Sequence, residues 1–189
     1  MQVPSGKTLA LIGGDISLQG GNLTAEGGRI ELGSVLESAK VELIPTSDGF
    51  TTGYDAVSQF GDINFSEATS VEVSGEGAGN LQFQGRQISV LDDSVILADT
   101  LGKENGGLFS VKASESLEII GGGTLNVFTG FITGVEVGGT GNSGQITIET
   151  PQLSLVGGSF IFSETLGSGN AGNITLKVEK LDISDGSLI

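Results

Sequence analysis

The chain has 189 residues and contains no cysteine, histidine or tryptophan. Without His or Cys there is no Ser-His or Cys-His nucleophile pair, no Cys/His zinc site and no haem axial His. Without Cys there is also no disulfide. Cations are scarce: 8 Lys and Arg stand against 23 Asp and Glu, a net charge of −15 with a pI near 4.1. The only arginines are Arg29 and Arg86. Nucleic acid is excluded as a partner, because phosphate contacts need a patch of Lys and Arg. No run approaches 18 uncharged apolar residues, so no helical transmembrane segment is expected. The opening MQVPSGKTLALIGGD has no basic n-region and reads as no signal peptide. Prolines number only 3, but glycines number 33. With 37% hydrophobic residues and a mean hydropathy of +0.18, the chain is too apolar for a disordered one.

A short motif recurs: Gly, polar, apolar, polar or small, apolar. It reads GDISL (14–18), GRIEL (28–32), GDINF (61–65), GNLQF (79–83), GQITI (144–148) and GNITL (172–176), with GGLFSV (106–111) a looser copy. Apolar residues two apart have the strand period. A second strand follows most copies: VEV (71–73), ISV (88–90), LEI (117–119), LSL (153–155) and LDI (181–183). A third follows some: SVIL (94–97), TLNV (124–127), SFIF (159–162) and SLI (187–189). Glycine clusters separate them, supplying the positive-φ corners of tight turns. Ile146, Leu153 and Phe160 repeat 28 residues later as Ile174, Leu181 and Leu188. The seven-residue spacing of Leu9, Ile16, Leu23 and Ile30 is not a heptad helix. Leu11, Leu18, Ala25 and Leu32 follow two residues later, and Gly-Gly pairs fall between them.

Such units cannot bury their apolar faces singly, so they stack, each strand pairing in parallel with its equivalent one turn on. The expected fold is all-β, a parallel β-helix with three short strands per coil and open ends, about seven coils long. Ile63/Phe65, Leu81/Phe83, Phe109/Val111, Ile146/Ile148 and Ile174/Leu176 are expected to form one inward column. Asn64, Gln82, Ser110, Thr147 and Thr175 are expected to face outward. Residues 34–59 fit the coil pattern least well, with VELI (41–44) a strand and 45–55 a loop or hairpin leaving the rod.

Several residue groups invite sharper readings. Asp92-Asp93 near Arg86 suggests a catalytic or calcium-binding carboxylate pair, as in a polysaccharide-cleaving β-helix, but Asp also favours corners, and that reading is preferred. The Gly-Asn stretches 75–83 and 167–176 lack the tandem Asp of a calcium roll. The triplets starting at Asn22, Asn64 and Asn173 match the glycosylation pattern with a core apolar residue in the middle, which favours chance. Phe128, Phe131 and Ile132 lie in the longest interval, read as an irregular coil rather than a binding loop. Phe50 and Tyr54 are the candidate ligand contacts. No catalytic residue, metal site or cofactor is expected.

The segment LALIGGDISLQGGNLTAEGGRIELGSV (9–35) resembles the last part of the secretion domain of filamentous-haemagglutinin-like exoproteins of two-partner secretion in Gram-negative bacteria. Residues 61–102 are similar to the coils that follow in that family, and 169–187 to its C-terminal coils. The resemblance divides the chain into 1–35, the end of the secretion-type domain; 36–60, an irregular coil or loop; and 61–189, truncated β-helix coils. It implies a right-handed β-helix and a large exoprotein, secreted to the cell surface through an outer-membrane transporter, with a structural or adhesive role and host-cell or surface glycans as possible partners. The front half of the secretion domain is missing from the match, so the chain alone is not expected to be export-competent. The alternative is a carbohydrate-binding or carbohydrate-active β-helix.

Overall fold

Alternating apolar residues become strands here because each pairs with the next turn of the chain rather than with its sequence neighbour. A computed structural model describes residues 1–47, 49–122 and 128–189; TLNV (124–127) lies outside the described residues. The strands are β1 (Thr8–Gly13), β2 (Ile16–Gln19), β3 (Asn22–Thr24), β4 (Arg29–Ser34), β5 (Glu42–Thr46), β6 (Gly49–Gly53), β7 (Ile63–Ser66), β8 (Ser70–Glu72), β9 (Asn80–Val90), β10 (Val95–Thr100), β11 (Leu108–Ile120), β12 (Gly130–Val135), β13 (Gln145–Val156), β14 (Phe160–Thr165) and β15 (Ile174–Ile183). Among the described residues there is no helix, hence none long and apolar enough to cross a membrane. Among the described residues all strand pairings between coils are parallel, and the one antiparallel pair of strands is the β5–β6 hairpin. The fold is a parallel β-helix.

Three faces wrap one core. The first face follows the order β1-β4-β9-β11-β13-β15, which makes six coils rather than seven. The second runs β2-β7 and then through the C-terminal halves of β9, β11, β13 and β15. The third runs β3-β8-β10-β12-β14. The expected three strands per coil are two in the later coils. GNLQF and ISV fuse into β9, and their equivalents into β11, β13 and β15, because the ladder continues around the corner. In β11 a register shift between Lys112 and Ser116 absorbs an extra residue there.

The column assignment needs one correction. Leu9, Ile30, Leu81, Phe109, Ile146 and Ile174 stack on the first face. Ile63 and Phe65 do not join them; they pair with Ile16/Leu18 and Ile88/Val90 on the second face. The chain leaves the second coil after β4, forms the hairpin, and resumes at the next face. The third strand of the fourth coil is β12, which buries Phe131 fully in the core and leaves Ile132 half-buried outside. Phe65, Phe83, Phe109 and Phe131 form a continuous aromatic stack, with centroids 5.3, 5.6 and 4.7 Å apart. Each such buried side chain contributes about 1.5–3 kcal/mol. The expected outward residues lie outside this core, with Asn64, Gln82, Ser110 and Thr147 half-buried and Thr175 exposed.

The motif glycines have a reason other than positive φ. Gly28, Gly79, Gly107, Gly144 and Gly172 sit one above another, and a Cβ on any of them would strike the backbone of the coil below. Gly14 and Gly61, which open GDISL and GDINF, are not in that pile: Gly14 is open, and Gly61 abuts Ser34 and the Asp15 side chain.

Candidate functional site

Three outer features hold the residues singled out above. The first is the hairpin. Its neck is tied where Val35 bridges Phe60 and Leu36 N–H donates to Gln59 O at 3.0 Å. Glu37 Oε1 accepts from the Ser58 N–H at 2.5 Å and the Ser58 hydroxyl at 2.9 Å, which hold its carboxyl below the ordinary value. The hairpin does not leave the rod. It lies back on the first face and covers Glu31, which is 0% exposed. Glu31 is held by Arg29 Nη1 at 3.1 Å, Thr51 Oγ1 at 2.9 Å and Thr52 Oγ1 at 2.6 Å. A buried carboxylate is tolerable only with such a set of donors. Gln82 Nε2 donates to the Thr52 carbonyl at 2.8 Å, tying the hairpin to the next coil.

Tyr54 closes this patch. Its ring lies on Gly33, where a Cβ would overlap the hydroxyl, and meets Phe60 edge-on at 6.0 Å. Burial first, and then the Glu31 charge, push its phenol above the ordinary value, against a hydrogen bond with Thr52. One edge of Tyr54 lines an open cleft of about 380 Å³ with Phe60, Gln82, Gln84 and Lys112. Phe50 does not line it: its backbone N–H and C=O sit 3.5 and 3.4 Å from the Thr8 hydroxyl, beside the first coil. The two candidate contacts are therefore separate.

The second feature is the corner between the first and second faces. Arg86 Nη2 pairs with Asp62 Oδ2 at 2.7 Å and Arg86 Nη1 with Glu115 Oε2 at 2.9 Å. Gln87 Nε2 adds a bond to Glu115 at 3.0 Å. Asp92 and Asp93 lie at the next corner, beyond the strand residues 87–90. Both have left-handed backbones, φ 52° and 62°. The same corner recurs in other coils as Glu67-Ala68, Gly157-Gly158 and Asp185-Gly186, also at positive φ. Each pair is followed by a buried hydroxyl: Thr69, Ser94, Ser159 and Ser187. Thr69 N–H donates to Ser94 Oγ at 3.2 Å, and Ser159 N–H to Ser187 Oγ at 3.2 Å. Asp92-Asp93 is thus one step of a repeated corner, and Arg86 is bonded elsewhere. Sequence reading placed Asp92-Asp93 at a corner but missed that the corner repeats, although two turn residues before Ser or Thr (EAT, DDS, GGS, DGS) spell it out. Among the described residues no group of three or more acidic side chains is placed to hold a metal ion.

The third feature is the outer surface of the third face, which corrects the reading of Phe128 and Ile132 as buried in an irregular coil: Ile132 lies outward on a regular strand and Phe128 is exposed. Leu97, Ile132 and Phe162 are register partners and form an outward apolar row. Phe160 and Phe162 stack with centroids 4.7 Å apart, and Phe128, 66% exposed, meets Phe160 edge-on at 5.2 Å. Beside the row stand Asp99, Glu136 and Glu164, with Glu72 at one end. Burial first, then these three glutamates in the order Glu136, Glu164, Glu72, push the Asp99 carboxyl up to about 6.

The parallel coils with their hairpin define the class, a β-helix with an extra-helical hairpin. Comparison with family models makes it particular: residues 1–83 match the TPS secretion domain. This match supports a fragment of a secreted two-partner-secretion exoprotein, a class exported through an outer-membrane transporter. The match runs past Val35 and through the hairpin to Phe83. Neither the curated proteins nor the solved structures compared contain a match.

Proposed function

We propose that this chain is a non-catalytic, adhesive and structural part of its exoprotein, displayed on the surface of a Gram-negative cell. The observation that carries this reading is the fate of the residues an enzyme would need. Arg86 is bound by Asp62 and Glu115, while Asp92-Asp93 turn a corner on the other side of a strand. Among the described residues Arg86 meets its carboxylates as closed ion pairs, which leaves the outer faces for contact. The lack of Cys suits passage through a pore, since no disulfide forms beforehand. Beads coated with the chain are expected to adhere to host cells, with no polysaccharide turned over by the soluble chain. Cleavage of any polysaccharide in the same panel overturns the reading.

The cleft beside Tyr54 favours a second reading, glycan binding. A ring edge with two Gln amides and one Lys is a combination suited to sugar hydroxyls. A glycan array with the native chain and Gln84→Ala tests it: retained signal in the variant removes the cleft from consideration.

A further inference from the structure

The outer surface of the third face has a composition that no other face shares. Its row Leu97–Ile132–Phe162 is extended by half-buried Val95 and exposed Phe128 on one side, with the buried Phe160 ring packed against both Phe128 and Phe162. On the other side lie the carboxylates of Asp99, Glu136 and Glu164. A Cβ on Gly134 would meet Asp99 Oδ1 at 2.9 Å and Glu164 Cγ at 3.7 Å, so both side chains lean over the same glycine. None of the strands β8, β10, β12 and β14 carries a Lys or Arg. None of the four ion pairs found among the described residues reaches these carboxylates. Burial first, and then repulsion from Glu136 and Glu164, raise the Asp99 carboxyl, against a backbone hydrogen bond from Gly134.

We infer that this face docks a basic amphipathic protein segment, its apolar side on the Leu97–Ile132–Phe162 row and its Lys or Arg side chains on Asp99, Glu136 and Glu164. Charge complementarity selects this occupant. A metal ion is not favoured, because the acidic groups are not placed to hold one. A sugar is not favoured, because the ring row lacks the amides and hydroxyls that orient it. A second copy brings its own acidic row against this one. The inference gives the adhesive reading a partner class and rests on it; peptide binding is read on the purified chain and adhesion on cells, so either fails separately.

The test uses three synthetic peptides of one length and fluorescence anisotropy. One is a Leu/Lys helix with segregated faces, one has the same composition scrambled, and one replaces Lys by Glu. The segregated Lys peptide is expected to bind about tenfold tighter than the scrambled one, and more weakly as salt rises. Glu136→Gln with Glu164→Gln is expected to weaken it about fivefold. Ile132→Thr with Phe162→Thr is expected to weaken it about tenfold, with circular dichroism reporting an intact fold. Glu149→Gln with Glu179→Gln, remote on the first face, is expected to leave it unchanged. Equal binding of segregated and scrambled peptides, or equal loss in the remote pair, overturns the inference in favour of bare charge attraction. Dimerisation in sedimentation that the Ile132→Thr/Phe162→Thr pair abolishes assigns the face to a second copy instead. If the carboxylate pair alone fails to fold, Glu164→Gln by itself is read the same way.

Discussion

The outer surfaces of the first and third faces begin alike, as the solvent side of a parallel sheet over the same Phe-rich core. They end differently. On the first face, the chain puts a carboxylate in the middle of the sheet at Glu31 and then folds a hairpin over it, meeting it with Arg29, Thr51 and Thr52. On the third face, the chain puts aliphatic and aromatic groups outside and rims them with carboxylates, and among the described residues no hairpin covers them. Buried charge demands donors inside the chain. Exposed apolar surface with an unneutralised acidic rim calls for them from outside.

The comparison breaks hardest at the shared core. Phe83 stacks between Phe65 and Phe109 beneath the covered face, and Phe83→Ala is expected to cost about 3–5 kcal/mol. Denaturant unfolding measures this, and a loss under 1 kcal/mol contradicts the stacked core. Glu31→Ala is expected to cost about 2–3 kcal/mol, since Arg29 and two Thr hydroxyls lose their acceptor under the hairpin. Hydrogen exchange then rises across residues 42–53 while β10 and β12 stay protected; uniform exchange through the chain refutes a locally seated hairpin. Gly33→Val, which displaces Tyr54, is expected to loosen the same hairpin at about 1–3 kcal/mol.

Asp99 supplies the opposite sign on the third face. Its folded pKa of about 6 lies above its ordinary 3.8. The folded chain therefore binds the extra proton between these values, and stability falls as pH rises through that window. The penalty is fully present above about pH 6. Asp99→Asn is expected to stabilise the chain by about 1–2 kcal/mol at pH 7, after allowance for its partial exposure, with no gain below about pH 4. A pH-independent effect, or destabilisation at pH 7, removes the strained acidic rim. Smallest of all, Phe128→Ser is expected to change stability by no more than about 0.5 kcal/mol, because its ring is mostly in water.

Periodicity alone made the stacked coils legible. The 28-residue echo from Ile146, Leu153 and Phe160 to Ile174, Leu181 and Leu188 is the actual register between coils. It failed for Ile63 and Phe65 because GDINF and GNLQF share one local pattern, and only pairing tells the second face from the first. The Asp after Gly was the available clue: Asp15 and Asp62 stand at that corner, with Asp62 N–H donating to Asp15 Oδ1 at 2.9 Å, whereas glycines stacked on backbone precede Asn80, Gln145 and Asn173. Of the candidate contacts, Tyr54 was legible only as an aromatic in an irregular segment. That it sits on Gly33 and borders a cleft with Gln82 and Gln84 depends on where the hairpin comes to rest.

By itself, the sequence determined that alternating apolar residues with glycine corners must stack, because no short strand buries its own face. It also determined that no chemistry of His, Cys or clustered cations is available. Only the tertiary structure decided which face each strand joins and that Glu31 is roofed while the Phe162 row stays bare. Those outcomes turn on contacts between coils some 20 to 50 residues apart, where local pattern carries no record of the partner.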